Sequence, residues 1–536
     1  MIEKRPFSAR SAFFLPAATP KRSLEKHLYA ILSGVMLTAA FPPARLEWIA
    51  WIALIPLFKA LDDETPSRAF RLGFIAGFTH FLTLIYWIIV VLGHYGGLNA
   101  VLSFGILGLF CLYLSLYPAV FALFICVIRG SLFSVILSAC LWVSLEYVRA
   151  LFLTGFPWCL LGYSQYNHLL LIQTADLTGV YGVSFLIVLF NALIYALFFD
   201  RSFSGRGSLR WETATLVLLT LFALIYGHQR LEGIRETAAD VRPVRAAIVQ
   251  GNVDQSVKWD PAYQSRTVDI YEKLTERASA SGIELVVWPE TAMPVFFQDM
   301  TEFSKRIIHI ARRAKSDLVF GCPAYERKTG TIRYYNRAYG LSPAGDISGS
   351  YDKSHLVPFG EYVPLHHFLP FVRRLVPAAG DFAPGEKIEP LRLSTLPAGI
   401  LICFEVIFPE LARNQSKAGA ALLINLTNDA WFGMTSAPYQ HLSMSVFRAV
   451  ENRRPLIRAA NTGISAFISP CGEILSRGPL FKKEVLIQQV RPDPDLRGYY
   501  MSLGDLFPLC LSFICLIKIF FILCYKRKTK NPRNKV

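Results

Sequence analysis

Three short segments of this chain carry a thiol, a carboxylate and an ammonium group. Cys403 ends the apolar run Ala398–Cys403, Glu290 follows the run Leu-Val-Val-Trp-Pro, and Lys353 lies in Tyr-Asp-Lys-Ser-His. Each residue lies at or just past the end of a predicted strand. A thiol attacks as its thiolate, and a free thiol with a pKa of about 8.5 is mostly protonated at neutral pH. Cys403 therefore needs a base and a nearby cation to carry out acyl transfer.

The other two residues can supply those functions. Glu290 is the predicted acceptor of the thiol proton, provided that a dry pocket surrounds its carboxylate. Lys353 is predicted to stabilise the thiolate and then an oxyanion, together with a backbone N–H next to Cys403. His355 is an alternative base. Taken singly, the three residues also fit a buried cysteine, a helix cap and a solvated lysine, so the prediction depends on their joint occurrence.

The segment from residue 242 to residue 494 has the composition of a soluble domain. Its strand-like runs are mostly continuous and apolar, which indicates an α/β fold with a sheet covered on both faces. Cys471-Gly472 predicts a hairpin turn into residues 473–476. The predicted strands are Arg245–Gln250, Ile283–Trp288, Asp317–Gly321, Ala398–Cys403, Ala421–Leu426 and Ile464–Ser469, and the predicted helices are Thr267–Ser281 and Pro438–Asn452.

The remainder of the chain is predicted to be an α-helical membrane domain with many spans. Of the 536 residues, 53% are hydrophobic and only 18% are charged, and the mean hydropathy of +0.37 is too high for an ordinary soluble protein. Apolar runs of membrane-spanning length occur at residues 27–42, 46–61, 70–92, 99–127, 131–152, 178–199, 212–229 and 507–525. The predicted organisation is a basic tail (1–26), a seven-span membrane domain (27–231), a catalytic domain (242–494), a C-terminal transmembrane helix (507–525) and a second basic tail (526–536).

The net charge of +16 is concentrated beside the predicted spans. Six basic residues lie in the first 26 positions and six more lie in residues 526–536. Such clusters set orientation and contact anionic lipid, so we expect a bilayer and no nucleic acid as partner. The positive-inside rule places both termini in the cytoplasm and residues 242–494 outside.

The cysteines give no sign of a metal centre. Only Cys322, Cys403 and Cys471 of the ten cysteines lie in the catalytic domain, so at least one of the three is unpaired. No pair has metal-ligand spacing, and we expect neither a metal nor another cofactor.

The flanking sequences of the three candidate residues resemble the signature blocks of the nitrilase superfamily. The blocks are Val-Val-Trp-Pro-Glu290, Lys353 with Val-Pro-Phe-Gly-Glu361, and Cys403-Phe-Glu405. The resemblance implies a four-layer αββα sandwich beside the membrane domain. It also implies that Glu290 is the proton acceptor, that Lys353 stabilises the intermediate and that Cys403 is the nucleophile.

Motifs in both halves of the chain narrow the resemblance to the apolipoprotein N-acyltransferase family. They include Glu146-Tyr-Val-Arg149, Thr154-Gly-Phe-Pro-Trp158, Gly162-Tyr-Ser-Gln165, Val249-Gln-Gly-Asn252 and Lys258-Trp259-Asp260. The family implies transfer of an acyl chain from a membrane phospholipid, through a thioester on Cys403, to the N-terminal amine of a diacylglyceryl-cysteine apolipoprotein. It implies a bacterial inner-membrane protein with a periplasmic catalytic domain.

The same resemblance implies supporting roles for Glu361, Glu405 and Trp259, whereas Phe404 stands where the family commonly has tyrosine. The loops Leu356–Val363 and Phe368–Ala379 can be lids or ordinary packing. Glu146 and Arg149 are spaced to pair on one helix face, and a structural pair is favoured for them over a site for a lipid head group. Lys518 lies inside the last predicted span, where it can snorkel or face the other helices.

Two other functions use the same features differently. A membrane-tethered nitrilase or amidase would hydrolyse a small amide with the same three residues, but one anchor would suffice for it. A transporter or receptor with an inactive external domain predicts the loss of at least one of the three residues, and all three are present.

Overall fold

The computed structural model describes residues 20–200, 208–255, 258–328, 330–362 and 382–530. The first part of the chain is helical. Its helices are α1 (Pro20–Ala39), α2 (Ile55–Ala60), α3 (Pro66–Leu84), α4 (Ile88–Val90), α5 (Ala100–Ile128), α6 (Ser134–Leu151), α7 (Leu169–Ile172), α8 (Ala175–Thr178), α9 (Val180–Phe198) and α10 (Ser208–Asp240).

Two six-stranded sheets follow, with a second group of helices. The strands are β1 (Val244–Gln250), β2 (Leu285–Val287), β3 (Asp317–Lys328), β4 (Thr331–Leu341), β5 (Ile347–Asp352), β6 (Leu391–Arg392), β7 (Pro397–Ile402), β8 (Leu422–Thr427), β9 (Leu456–Ala460), β10 (Ala466–Ile468), β11 (Ile474–Arg477) and β12 (Glu484–Val490). The helices are α11 (Pro261–Ser279), α12 (Glu302–Ala314), α13 (Pro409–Lys417), α14 (Ala437–Asn452), α15 (Tyr499–Leu503) and α16 (Leu506–Lys530).

Several helices have the length and composition of membrane spans. Five described helices are long and apolar enough to cross a membrane, and they coincide with predicted spans: α5, α6, α9, α10 and α16. A sixth span results if α3 and the helical segment Ile88–Tyr95 are taken together, because the two are bent by 55° at a short break. The predicted span 27–42 lies within or just after α1, whereas 46–61 consists of a 3-10 helix and the six-residue α2. Lys518 is on an exposed face of α16.

The two sheets form the inner layers of a four-layer αββα sandwich. Their strand orders are β12-β1-β2-β3-β4-β5 and β11-β10-β9-β8-β7-β6, with β1-β2-β3 and β7-β8-β9 parallel. Alternate residues of each strand face opposite sides. Ala246 and Ile248 of β1 belong to the same buried cluster as Ile400 and Ile402 of β7, between the sheets. The outward residues of β1 belong to a second cluster with residues of α11 and α12. The predicted fold class is therefore confirmed.

The predicted elements agree with the structure where the chain is apolar. All six predicted strands and both predicted helices are present, with boundaries shifted by up to seven residues. Strands β4, β6, β9 and β12 were not predicted, nor were helices α12 and α13, and of β5 only the end beside Lys353 was expected. The exposed residues at the start of β4 explain one omission, because they interrupt the apolar pattern by which strands are detected.

Helix α14 joins the sandwich to the membrane part. All its residues except Tyr439 are buried, because one face packs on the second sheet and another lies against the membrane helices. Gln440 of α14 accepts hydrogen bonds from Trp87 Nε1 at 3.2 Å and Trp158 Nε1 at 2.8 Å, and it donates to the Leu84 carbonyl at 3.1 Å.

A buried carboxylate makes a second connection between the two parts. Asp176 in α8 is fully buried and accepts hydrogen bonds from Arg453 Nε at 2.8 Å and Tyr226 Oη at 2.6 Å. Arg230 of α10 donates two more, at 3.0 and 2.9 Å. Removing one partner of a buried ion pair leaves the other charge uncompensated, which makes this contact important for stability.

We predict that Asp176→Asn lowers the free energy of unfolding by about 3–5 kcal/mol, because the buried guanidinium group of Arg453 and the half-buried one of Arg230 lose their counter-charge. The measurement is the thermal unfolding midpoint of the purified protein in detergent. The control is Asp269→Asn, which removes an ion pair to Arg306 whose side chains are 48% and 34% exposed; its cost should stay below about 1 kcal/mol. Equal midpoints for the two variants would contradict the prediction.

Candidate active site

Cys403 lies at the carboxyl end of strand β7, where the chain turns sharply. It is the first residue of the 3-10 helix Cys403–Ile407 and has a φ of 53°. A residue with a Cβ rarely adopts this left-handed conformation, and such strain is concentrated at functional sites. The side chain is half-buried. The turn thus places the thiol at the edge where the parallel strands end.

Glu290, Lys353 and Glu361 form a connected charged cluster with Asn336. Lys353 Nζ lies 2.8 Å from Glu361 Oε2 and 3.8 Å from Glu290 Oε1. Asn336 Nδ2 donates to both carboxylates, to Glu290 at 2.8 Å and to Glu361 at 3.0 Å. One amide and one ammonium therefore hold two carboxylates in fixed orientations.

The second oxygen of Glu290 is available to accept a proton. Glu290 Oε2 is buried and has no hydrogen-bond partner among the described residues. Burial raises the pKa of the Cys403 thiol to about 12, and the negative charge of Glu290 contributes in the same direction, whereas Lys353 acts against it. Free thiolate is therefore scarce at neutral pH, so that Cys403 must lose its proton to a neighbouring base as it attacks.

Lys353 remains an ammonium group in this environment. Burial acts to lower its pKa, but the carboxylates of Glu361 and Glu290 outweigh burial and hold the pKa above its ordinary value. The Lys353 side chain is 1% exposed, and a buried charge interacts more strongly with nearby charges than the same charge does in water. It can stabilise negative charge on sulfur or on an oxyanion.

Glu405 ties the lysine loop to the cysteine turn. Its buried carboxylate accepts hydrogen bonds from Tyr351 Oη at 2.9 Å, from the backbone and side chain of Ser354 at 2.7 and 2.9 Å, and from His355 N at 3.1 Å. Its other oxygen accepts from Ile402 N at 2.6 Å. Glu405 therefore positions Lys353 and Cys403 relative to each other. Both of its oxygens are occupied by these hydrogen bonds, so it is a positioning residue and not a proton acceptor.

His355 is less suited than Glu290 to act as the base. Its ring packs against Phe408, with 3.9 Å between the ring centroids. Burial and the charge of Lys353 lower its pKa to about 4, so its imidazole is neutral at neutral pH and a weak proton acceptor. Phe404 also packs on Phe408, at 5.2 Å between centroids, and it brings no hydroxyl to the site.

Two further residues of the candidate site, Asn336 and Lys258, were not predicted from the sequence. Asn336 lies in the unpredicted strand β4, where only a polar residue at a buried strand position could have signalled it. Lys258 is fully buried and donates to the Glu290 carbonyl at 3.3 Å, and burial lowers its pKa to about 8. Its neighbour Trp259, predicted to support the site, is 50% exposed.

Only one of the two loops considered as lids lies mostly within the described residues. Residues 356–362 form a compact turn that carries Glu361, whose Oε2 accepts from Val357 N at 2.9 Å, and Phe359 in this turn is half-exposed. Val363 and the loop Phe368–Ala379 lie outside the described residues. Among the residues that are described, no three His, Cys, Asp or Glu side chains are grouped to hold a metal ion.

The membrane part contacts the sandwich at His441, close to the Cys403 turn. Trp158 stacks on His441, with 5.5 Å between ring centroids. Arg149 Nη1 donates to the Trp158 carbonyl at 3.2 Å, and Glu146 Oε1 accepts from Leu161 N at 2.7 Å. These two buried residues therefore fix the loop that carries Trp158. They do so through separate backbone partners and not through the predicted pairing, since the second carboxylate oxygen of Glu146 has no hydrogen-bond partner among the described residues.

We predict that Asn336→Leu slows alkylation of Cys403 by iodoacetamide about tenfold, because Glu290 loses the hydrogen bond of about 1.5–3 kcal/mol that orients it as proton acceptor. The measurement is the modified fraction of the Cys403 peptide by mass spectrometry. Cys322, which is buried on the other face of the first sheet, is the internal reference. An unchanged Cys403 rate in a folded variant would contradict the prediction.

Comparisons with known proteins cover nearly the whole chain. A family model described as the apolipoprotein N-acyltransferase N-terminal domain matches residues 33–193, and one described as carbon-nitrogen hydrolase matches residues 245–494. Among solved structures, a carbon-nitrogen hydrolase from Helicobacter pylori is 20% identical with a TM-score of 0.38, covering 50% of this chain and 94% of its own. An amidase from Nesterenkonia is 25% identical with a TM-score of 0.37, covering 48% and 93%.

Relatives of similar length match both halves together. The apolipoprotein N-acyltransferase of Geobacter metallireducens is 47% identical over 91% of this chain and 93% of its own length. That of Methylococcus capsulatus is 33% identical over 94% and 96%. This chain therefore belongs to the apolipoprotein N-acyltransferase family.

Proposed function

We propose that this protein transfers an acyl chain from a membrane phospholipid to the N-terminal amine of a diacylglyceryl-cysteine apolipoprotein, through a thioester on Cys403. The observation that carries the proposal is the free, buried Oε2 of Glu290 in a cluster that also holds the Lys353 ammonium group. Family membership supports the lipoprotein amine as the acyl acceptor. The arrangement of Cys403, Glu290 and Lys353 supports a covalent thioester intermediate.

The first half-reaction loads the enzyme. Cys403 sulfur attacks the ester carbonyl carbon of the phospholipid while its proton passes to Glu290. Lys353 and the backbone N–H of Phe404 stabilise the oxyanion. The carbon–oxygen bond breaks, the proton on Glu290 goes to the leaving alkoxide, and a lysophospholipid departs.

The second half-reaction unloads the enzyme onto the lipoprotein. The amine attacks the thioester carbonyl, Glu290 takes a proton from the nitrogen, and Lys353 again stabilises the oxyanion. The carbon–sulfur bond breaks and the cysteine thiol is restored with the proton held by Glu290. One covalent intermediate that separates two substrates implies ping-pong kinetics.

The membrane part is needed because both substrates are lipids. Removing an acyl chain from the bilayer costs about 0.8 kcal/mol per methylene group, so the thiol must be held at the lipid surface. Trp158 and Asp176 connect the membrane part to the sandwich, which supports this arrangement. A hydrolase of small amides has no need of such contacts.

We expect Cys403→Ser to abolish the acyl adduct and the transfer, because a serine hydroxyl is much harder to deprotonate than a thiol and is a poorer nucleophile, and because a serine ester is a poorer acyl donor than a thioester. Glu290→Gln should slow adduct formation by about 10²–10⁴-fold, the usual contribution of a general base. Purified protein is mixed with phospholipid and a diacylated lipopeptide, and adduct and product are measured by mass spectrometry. Transfer retained by Cys403→Ser would contradict the mechanism, and ammonia release from simple amides without lipid transfer would favour an amidase.

The proposed orientation places the catalytic domain on the outer face of the bacterial inner membrane, with both termini in the cytoplasm. The distribution of basic residues supports it, since the arginine-rich loops and both tails then share one side.

A cysteine introduced at Glu302, whose side chain is 82% exposed, should react with a membrane-impermeant maleimide in intact spheroplasts. A cysteine appended after Val536 should react only after permeabilisation. Wild type without either addition gives the background from native thiols. The reverse pattern would place the catalytic domain in the cytoplasm.

A further inference from the structure

Thr427 lies directly beside Cys403 in the second sheet. Strands β7 and β8 are parallel with Ile402 opposite Leu426, so Cys403, which directly follows β7, and Thr427, the last residue of β8, are neighbours. Thr427 is fully buried. Its hydroxyl is therefore a polar group in a dry environment next to the sulfur, and it needs a hydrogen-bond partner.

The hydroxyl has two acceptors and one proton. Thr427 Oγ1 donates to Asp429 Oδ1 at 3.0 Å, and Cys403 occupies the neighbouring position across the β7–β8 pair, where a hydrogen bond from Thr427 acts to lower the pKa of the thiol. A hydroxyl rotates freely about its C–O bond, so it can donate to either acceptor. When sulfur carries its own proton, the carboxylate of Asp429 is the stronger acceptor, and the bond to Asp429 forms.

Asp429 does not depend on this one hydrogen bond. Arg458 Nη2 donates to Asp429 Oδ2 at 2.7 Å, and His441 Nδ1 lies 3.1 Å from Oδ1. All three side chains are almost fully buried. The carboxylate therefore stays compensated when the Thr427 hydroxyl turns away, which keeps the cost of turning low.

We propose that Thr427 is a further catalytic residue, whose hydroxyl turns from Asp429 to the Cys403 sulfur as the thiol loses its proton and thereby stabilises the thiolate. Lys353 approaches from the first sheet, and Thr427 supplies a donor from the second. A hydrogen bond to an ionised group contributes about twice as much as a neutral one, which makes the contact stronger when the sulfur is charged.

The proton balance involves no additional group. The proton of the thiol goes to Glu290 Oε2, the proton of Thr427 stays on its own oxygen, and the new bond is the one from sulfur to the acyl carbon. In the second half-reaction the sulfur leaves as thiolate and Thr427 stabilises it again. The inference rests on Cys403 being the nucleophile, as proposed above.

Threonine can also be explained as a filler of the strand, and two substitutions separate these roles. Thr427→Val keeps the shape and removes the hydroxyl, whereas Thr427→Ser keeps the hydroxyl and removes the methyl group. A packing role predicts that serine is the worse substitution, because it leaves a cavity. A role for the hydroxyl predicts that valine is the worse one.

The test measures iodoacetamide alkylation of the Cys403 peptide and the single-turnover rate of acyl-adduct formation from phospholipid vesicles, in the full-length protein in each case. We expect Thr427→Val to lower both rates about tenfold, which corresponds to roughly 1.4 kcal/mol, and Thr427→Ser to keep both within about twofold of wild type. Thermal midpoints establish that the variants are folded, and Thr427→Ala with Thr427→Ser gives the same comparison if valine prevents folding.

Two outcomes would overturn the inference while leaving the proposed function intact: wild-type rates in Thr427→Val, or equal losses in the valine and serine variants. An absence of acyl adduct on Cys403 in the wild-type protein would instead remove the proposed function on which the inference rests.

Discussion

The site depends on one buried ammonium group held between two carboxylates. Taking the Lys353 charge out of water is costly, and that cost is offset only if its partners are close and correctly oriented. Glu361 lies at 2.8 Å and Glu290 at 3.8 Å, so the closer partner neutralises the lysine and the farther one keeps an oxygen free. This asymmetry distinguishes a structural counter-ion from a group that can accept a proton.

That cluster comes from one sheet and the nucleophile comes from the other. Glu290, Asn336 and Lys353 follow or belong to strands of the first sheet, whereas Cys403 and Glu405 follow β7 in the second. The site therefore exists only when the sandwich closes, and Glu405 makes the cross-connection through Ser354 and His355. The carboxyl ends of parallel strands meet at one edge, and this topology brings distant segments together.

The sequence carries a local signal for part of the candidate site. Cys403 and Glu290 each follow a continuous apolar run that forms a buried strand, and their joint occurrence with Lys353 made them candidates. Asn336 was not identified, because it bridges two carboxylates that are distant from it in sequence. The residues next to an asparagine in a strand do not indicate such a long-range contact. Trp259, which a motif places beside the site, is half-exposed, whereas its neighbour Lys258 is buried, and the supporting role of Trp259 stays a prediction. The segment 46–61 has the hydropathy of a span, yet it is divided into the 3-10 helix Glu47–Trp51 and the short helix α2, which has Pro56 in its first turn.

The membrane part is more than an anchor, and the burial of α14 explains why. A helix on the outside of an αββα sandwich normally exposes one face to water, but in α14 that face is covered by the membrane helices. Gln440 and His441 on this helix contact Trp87 and Trp158, and His441 also lies beside Asp429, near the Cys403 turn. A displacement of the membrane part would therefore be transmitted to the Cys403 turn through His441 and Asp429. The packing of α14 against the membrane helices thus sets the position of the Cys403 thiol and also holds the sandwich against the membrane part. The reactivity of the thiol and its access to lipid therefore depend on the same contacts.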